Sequence, residues 1–576
     1  MKLLSFFLHR SKSIGYSKGL VTIVIIAGMI GGVSNTIVLA LINKALRQEV
    51  SPLASTIWSF AVICVLLAAS KAVSQIMLTR FATGTAYDLR MRLSRQILTS
   101  PLRRLETLGA NRIMASLTDD VPNIVQALTN LPNLVINFVI VVGCLIYMGW
   151  LSWVLFLAVI GIVAVGVLSY HVLGRRADKY FRQARESWDL LLKHIRALVD
   201  GSKELKLHRR RREEFYSQKL SAAAAALARH RVTATTNYAI AENWGEILIF
   251  LIIGLLIFAL SKYRGINTEI LTGYVISILY MTTPLQFVLN TFPMISQAEI
   301  AIDKYRDVYD LLAAEPLEDE APSLPDRDLH WSKIEFLNVT HNYHRESENS
   351  SFTIGPLNVA LSAGEMVFIT GGNGSGKTTL IKMIAGLYAP ETGEVLLDGK
   401  PVNGQNRDYY RQHFSAVFSD FYLFDDLLGL GISELDKQAR EYLIKLQLNH
   451  KVEVKDGTFS TIDLSQGQRK RLALLAAYLE DRPIYIFDEW ASDQDPLFRD
   501  LFYLYLLPEL KARGKTILVV SHDDRYYHVA DRLIKLDYGQ MVSDCAVTNG
   551  LKEGENTPLT SRSPALPPNL RTVSSS

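Results

Sequence analysis

The chain has 576 residues, of which 49% are hydrophobic and 20% charged, and its mean hydropathy is +0.14. That balance excludes a disordered chain, which needs low hydrophobicity and high net charge. Cys64, Cys144 and Cys545 are too few for a disulfide-stapled secreted scaffold. The net charge of +4 hides a division: residues 1–313 hold 34 of the 61 Lys and Arg but only 19 of the 57 Asp and Glu. A basic, apolar first half therefore precedes an acidic second half. A basic half points to nucleic acid or to a membrane face, and the position of the apolar runs decides between them.

A helix needs about 20 apolar residues to cross the hydrocarbon core. Six stretches qualify: Gly19–Asn43, Thr56–Leu78, Leu131–Trp150, Leu151–Leu173, Trp244–Leu260 and Ile270–Phe292. The first is too long for a signal-peptide core and is followed by further spans. The third and fourth abut, which predicts a tight hairpin. Orientation follows from Lys and Arg. The N-terminus carries Lys2, Arg10, Lys12 and Lys18, seven Arg lie between spans two and three, and 16 Lys and Arg lie between Arg175 and Arg231. The opposite loops hold two, none and two. Both termini are expected in the cytoplasm, with two long, helical cytoplasmic excursions. The run Lys203–Arg212 reads as positive-inside charge on a solvated helix, so no nucleic-acid partner is expected. Lys71, well inside the second span, and Glu242 and Glu246, at the start of the fifth, are intramembrane ionisable groups that either serve function or snorkel toward the cytoplasmic surface. Asn137, Gln286 and Asn290 join Lys71 as polar positions that either line a cavity or pack helices. Pro284 and Pro293 should kink the sixth span.

The domain boundaries are expected at 1–313 for the membrane part, 314–328 for an acidic, Pro-containing linker, 329–550 for an α/β domain and 551–576 for a Ser/Thr/Pro-rich disordered tail. Within the α/β domain, Gly371-Gly372-Asn373-Gly374-Ser375-Gly376-Lys377-Thr378 fits a phosphate-binding loop. It sits between a strand, Met366–Thr370, and a helix, Thr379–Leu387. Glycines let backbone N–H groups wrap phosphates, and the helix N-terminus adds its positive dipole. Lys377 reaches the β- and γ-phosphates, and Thr378 offers its hydroxyl to Mg²⁺. The apolar run Ile484–Phe487 is a buried strand that delivers Asp488 and Glu489 at its end, where ligands bind in open α/β sheets. Asp488 is the expected metal-shell carboxylate and Glu489 the general base.

Four further features turn these motifs into a family resemblance. Leu464-Ser465-Gln466-Gly467-Gln468 resembles the LSGGQ signature of ABC ATPases, with Gln466 in place of the first Gly. Ser492-Asp493-Gln494-Asp495 falls at the D-loop, and His522 resembles the switch histidine. Tyr343 resembles the aromatic that stacks on adenine. Six spans ahead of one such domain resemble a half-size ABC exporter, and Glu106–Val121 and Leu198–Phe215 resemble its two cytoplasmic coupling regions. The segment Ser465–Asp500 (with Trp490 after the carboxylate pair), the triad His522-Asp523-Asp524 and the run KELKLHRRRREEF resemble the SyrD/PvdE/YojI group of bacterial cyclic-peptide and peptide-siderophore exporters.

The resemblance implies a membrane α-helical bundle of six transmembrane helices, type IV ABC exporter-like, fused to an α/β P-loop ABC ATPase domain. It implies ATP and Mg²⁺ as ligands, and a homodimer in the bacterial inner membrane that exports a peptide substrate. It also leaves room for periplasmic or outer-membrane export partners. Its site residues would be Glu489 and His522 for catalysis, and Thr378 and Asp488 for metal. Tyr343, Gly371, Asn373, Gly374, Ser375, Gly376, Lys377, Thr378, Thr379, Ser465, Gln466, Gly467, Gln468 and Asp495 would hold nucleotide. The alternatives are an exporter of lipids or hydrophobic drugs, and an ATP-gated channel that does not pump. Two departures stand out. The glutamine usual ahead of the helical subdomain is replaced by Ser419, with Asp420 beside it. Lys455–Asp463 also lacks the acidic cross-talk pattern of many exporters.

Overall fold

The computed structural model describes residues 18–46, 53–259, 268–313, 329–345, 350–430 and 432–547. Lys2, Arg10 and Lys12, the whole predicted linker and the predicted tail lie outside these residues. The chain divides into two compact units, one of Met1–Leu93 with Met114–Asp307 and one of Ser94–Ile113 with Val308–Ser576.

The first unit is helical. Its long helices are α1 (Lys18–Leu46), α2 (Leu53–Thr99), α4 (Val121–Leu151), α5 (Trp153–Asp200), α6 (Ser221–Gly254) and α7 (Thr268–Ala313), except that the ends of α2 from Ser94 and of α7 from Val308 belong, like the short α3 (Leu102–Leu108), to the second unit. Spans one, two, three and six fall wholly within α1, α2, α4 and α7. Span four begins at Leu151, the last residue of α4, and otherwise lies in α5 after Ser152, and span five runs from α6 into a π-helical turn, Leu255–Ala259, with Leu260 outside the described residues. By length and composition, α1, α2, α4, α6 and α7 hold stretches able to cross a membrane, and α5 adds the shorter apolar stretch Trp153–Val165 among the described residues. A 48-residue helix such as α5 is about 72 Å long. It therefore runs far beyond a hydrocarbon core of about 30 Å, as the charged excursions require. The expected hairpin is present: Ser152 alone, with extended backbone, separates α4 from α5. The Tyr274 hydroxyl on α7 sits 2.7 Å from the Met148 and Ser152 carbonyl oxygens and holds that corner. The α7 helix runs unbroken through Pro284 and Pro293. Asn137 spends its amide on the Asn133 carbonyl one turn back at 2.7 Å, whereas Lys71 and Asn290 are exposed.

The second unit is built on a six-stranded sheet in the order β12-β11-β3-β10-β9-β6. Its strands are β3 (Met366–Gly371), β6 (Phe414–Val417), β9 (Ile484–Asp488), β10 (Thr516–Val520), β11 (Arg532–Asp537) and β12 (Gln540–Ala546). All run parallel except the edge strand β12. Both faces of this sheet are covered, so its central strands are apolar throughout rather than alternating. Phe368, Phe487 and Val519 point into one core with α9 (Ile432–Lys445) and α10 (Gln466–Glu480). Ile369, Ile486 and Leu518 point into the other, with α8 (Lys377–Ile384) and the antiparallel sheet β2-β1-β4-β5. That sheet comprises β1 (Lys333–Arg345), β2 (Ser350–Ser362), β4 (Thr392–Leu397) and β5 (Lys400–Pro401), and a separate short hairpin pairs β7 (Val454–Lys455) with β8 (Thr458–Phe459). The parallel strands β3, β9 and β10 bring their C-terminal ends to one edge, which is where the site is assembled.

Candidate active site

The loop between β3 and α8 is the predicted phosphate cradle. Gly371 closes onto the neighbouring strand so tightly that a Cβ would lie 2.2 Å from the Leu536 carbonyl oxygen, and its φ of +147° suits only glycine. The cradle is drawn around the Lys377 ammonium, which donates to the carbonyl oxygens of Gly371 at 3.0 Å and Gly372 at 2.9 Å. Asn373 and Gly374 are exposed at its rim, and Thr378 and Thr379 lie in the first turn of α8. That helix starts two residues earlier than the sequence pattern predicts, so Lys377 itself is at its N-terminus.

Strand register builds the rest. Asp488 at the end of β9 pairs with Val520 of β10, so Ser521 and His522 emerge beside Glu489. His522 Nε2 lies 3.1 Å from Glu489 Oε1. The Thr378 hydroxyl donates to Asp488 Oδ2 at 3.2 Å, and the Ser419 hydroxyl donates to the same oxygen at 3.0 Å. Of the two exposed residues at the place of the missing glutamine, Ser419 and Asp420, Ser419 is the one whose hydroxyl reaches Asp488. Burial pushes the Asp488 carboxyl above its ordinary range, against the pull of the Ser419 and Thr378 hydroxyls. Burial also lowers the Lys377 ammonium, opposed by Glu489 and Asp488.

The leftover polar atoms test whether a magnesium nucleotide suits this cradle. Asp488 Oδ1 and Ser375 Oγ are buried without a protein hydrogen-bond partner, at positions where a metal shell and a phosphate would lie. Buried polar atoms are almost always bonded, so the pair fits a ligand that brings a cation and phosphate oxygens together. Thr378 and Asp488 would hold the ion.

The signature segment caps α10. Ser465 precedes the helix, and its N–H donates to Gln468 Oε1 at 3.3 Å, a capping-box contact. Ser465 and Gln466 are exposed, so the position that departs from the signature faces outward. Gly467 is the constrained one: a Cβ there would meet the Asp493 carbonyl oxygen at 2.9 Å. Asp495 pairs with Arg471 at 2.6 Å and caps the following helix through the Phe498 N–H at 2.9 Å. Tyr343 lies on β1 opposite Phe352, away in sequence from all of these, and its backbone is what the structure describes.

Sequence reasoning missed the way α3 docks within this unit. Arg103 pairs with Glu391 at 2.7 Å, and the Glu106 carboxylate takes Lys382 of α8 at 3.0 Å and the Tyr388 hydroxyl. His341 stacks on Tyr388 with ring centroids 4.9 Å apart. Partial burial raises the Glu391 carboxyl, but the Arg103 and Asn342 bonds outweigh it and hold it below the usual range. The docking residues sit at and before the start of the predicted segment Glu106–Val121. Pro101 and Gly109, which bracket α3, were the signal.

Residues 354–492 match the family model described as ABC transporter, and residues 19–285 match the model described as ABC transporter transmembrane region. The chain is 37% identical over 535 residues to the ATP-binding protein SyrD of Pseudomonas syringae pv. syringae, covering 91% of this chain and 94% of that protein. It is 26% identical to the ATP-dependent lipid A-core flippase of Bordetella pertussis, covering 93% of this chain and 88% of the flippase. A solved structure, that of a bacterial Atm1-family ABC exporter with ATP bound, superposes with a TM-score of 0.67 at 16% identity, over 92% of this chain and 94% of the other.

Proposed function

The chain belongs to the ABC transporters as a half-size exporter whose ATP hydrolysis is coupled to transport, and from that premise we propose that it exports a peptide across the bacterial inner membrane. The substrate class is a cyclic peptide or a peptide-siderophore precursor. The observation that carries this reading is the gradient of similarity: 37% identity to SyrD against 26% to lipid A-core flippases, over comparable lengths. The Ser465–Asp500 and Lys203–Phe215 segments support it through their resemblance to the SyrD/PvdE/YojI group.

The working unit is a homodimer. One chain supplies one phosphate loop and one signature, and a complete site needs both around the same ATP. The phosphate loop of one copy, together with the partner's Ser465 and the partner's Gly467, would close on each nucleotide, with Tyr343 against the adenine. Thr378 and Asp488 would hold a magnesium ion, with Ser419 beside them, and that ion would supply positive charge to neutralise the phosphates. Glu489 accepts a proton from the attacking water as the water oxygen bonds to the γ-phosphorus and the bond to the β–γ bridging oxygen breaks, leaving the electron pair on ADP. His522 keeps the Glu489 carboxylate in place. Both termini lie in the cytoplasm in this arrangement. Transport follows from the difference in ATP affinity between the closed and open dimers.

The test pairs a deletion with vesicle transport. Cells lacking the chain should accumulate a peptide product, and inside-out vesicles containing it should take that peptide up with ATP. Glu489→Gln should lower turnover by about 10²–10⁴-fold and stop uptake. Lipid is the rival because flippases are full-length relatives. ATP-driven movement of a labelled lipid without peptide uptake would overturn the peptide reading, and undiminished transport by Glu489→Gln would overturn the pump in favour of a gated channel.

A further inference from the structure

The first two turns of α10 do more than present the signature residues. Lys470 lies on the inward face of that helix, and its side chain is only 3% exposed. A buried ammonium is costly unless its N–H groups are bonded. Lys470 Nζ finds three acceptors for its three donors: the Glu489 carbonyl oxygen at 3.0 Å, Ser492 Oγ at 3.2 Å and Asp493 Oδ2 at 2.7 Å. The connection also runs in reverse, because Trp490 Nε1 donates to the Lys470 carbonyl oxygen at 2.8 Å. Trp490 is fully buried and stacked on Phe502 with centroids 4.3 Å apart, which anchors that side.

What Lys470 grips is an unusual piece of backbone. Glu489 has φ +49° and ψ +33°, the left-handed region that side-chain-bearing residues avoid. Its N–H donates to the Val520 carbonyl oxygen at 3.1 Å, and its own carbonyl oxygen accepts from Lys470 and, at 2.7 Å, from the Ser492 hydroxyl. The carboxylate meanwhile faces His522. Relaxing the backbone to an ordinary conformation would rotate the Cα–Cβ bond and re-aim that carboxylate. Neighbouring bonds also join α10 to this loop, but elsewhere. Gln494 donates to the Gly467 carbonyl oxygen at 3.0 Å, and Arg471 holds Gln494 at 2.8 Å and Asp495 at 2.6 Å. Those bonds end at Gln494 and Asp495, whereas Lys470 reaches Glu489 itself.

We propose that Lys470 is a positioning residue for hydrolysis: it holds Glu489 in its left-handed conformation and ties the aim of the base to the state of the signature at the head of the same helix. Ser465 precedes Lys470 by five residues, about 7.5 Å along α10. In the homodimer Ser465 contacts the ATP of the partner's phosphate loop, while Glu489 serves the ATP on its own. Lys470 therefore links the two nucleotide sites through one side chain. This inference rests on the reading of Glu489 as the base and of the dimer as head-to-tail.

The experiment uses full-length protein in nanodiscs and measures ATP turnover and nucleotide affinity separately. Lys470→Met keeps the apolar stem and removes all three donors. Its kcat should fall by about 10–100-fold, the effect of a base displaced by about an ångström, while affinity for ATP stays within about threefold because the phosphate loop is untouched. Lys470→Gln, which keeps two donors and guards against a folding failure, should fall between Met and wild type. Lys470→Arg should recover most of the rate. The cooperativity of turnover with ATP concentration should fall with kcat across the series. A kcat within about threefold of wild type in Lys470→Met overturns the proposal, and so does a parallel loss of rate and affinity in both Met and Gln variants, which is the mark of a merely structural role. Glu489→Gln run alongside separates the two failures. Full turnover there removes the base, whereas its loss beside normal Lys470→Met turnover removes only the clamp.

Discussion

The docking of α3 within the second unit makes a quantitative prediction through Glu106. A seven-residue helix has no stability of its own, because nucleation of so short a segment is unfavourable in water. Amide protection in α3 must therefore come from docking. Glu106 supplies both oxygens to that docking, one to Lys382 at 3.0 Å and one to the Tyr388 hydroxyl. The Lys382 side chain is 12% exposed and that of Glu106 33%, so the pair sits between the surface and buried cases. Exposed pairs are worth about 0.2–1 kcal/mol, and breaking a buried one costs about 3–5 kcal/mol. A coupling of about 1–2 kcal/mol follows, a factor of about 5–30 in the local opening equilibrium. Hydrogen exchange of peptides spanning residues 102–109 reads that equilibrium directly. Glu106→Gln and Lys382→Met should each accelerate exchange by about 5–30-fold. The double variant should fall short of the product, because the lost interaction is shared. Additivity within about 0.5 kcal/mol, or exchange unchanged in all three proteins, would refute the clamp.

Three shorter predictions concern the site itself. Burial raises the Asp488 pKa above its unfolded value, so its contribution to stability is full below about pH 3.9 and is lost as pH rises through the folded value. At pH 7 its charge weakens the nucleotide-free fold. Asp488→Asn should raise the melting temperature of the ATPase transition at pH 7, with the gain shrinking toward pH 4, while ATP turnover is lost; a lower melting temperature at pH 7 would contradict this. In Gly467→Ala the new Cβ meets backbone, the Asp493 carbonyl oxygen at 2.9 Å, so α10 and the loop must part. The strain should cost about 1–3 kcal/mol in thermal stability and depress turnover, and an unstrained, fully active variant would count against so close an approach of the two segments. Ser419→Ala removes one of two hydroxyls on Asp488 Oδ2 and should weaken the Mg²⁺ dependence of turnover by about tenfold, the worth of one hydrogen bond to a charged group; an unchanged magnesium titration would exclude Ser419 from the metal shell.

The parts of this molecule legible in the sequence are those whose physics is local. Apolar length alone located the long helices of the first unit, because a bilayer core sets a minimum span. The phosphate loop was legible because its glycines, lysine and threonine stand at a fixed spacing between a strand-length apolar run and a helical segment. Leu464–Gln468 was legible through its likeness to the signature. The contacts that turn these pieces into a machine are non-local, and their residues look ordinary. Glu106 and Lys382 are 276 positions apart, and nothing in either neighbourhood names the other. His522 meets Glu489 only because β10 pairs in parallel with β9 at one register. Lys470 is the sharpest case. In QGQRKRLALLAAYLE a lysine among basic neighbours reads as solvated, yet it shares the inward face of α10 with Leu474 and Ala477, four and seven residues on. That spacing predicts burial for Lys470, and burial of an ammonium demands acceptors. The acceptors are supplied by a loop 19–23 residues away in sequence that carries the proposed base. A charged residue on the buried stripe of an amphipathic helix is thus the local trace of a long-range contact, which is why Lys470, unlike Glu106, was recoverable from the sequence by asking what its ammonium would need.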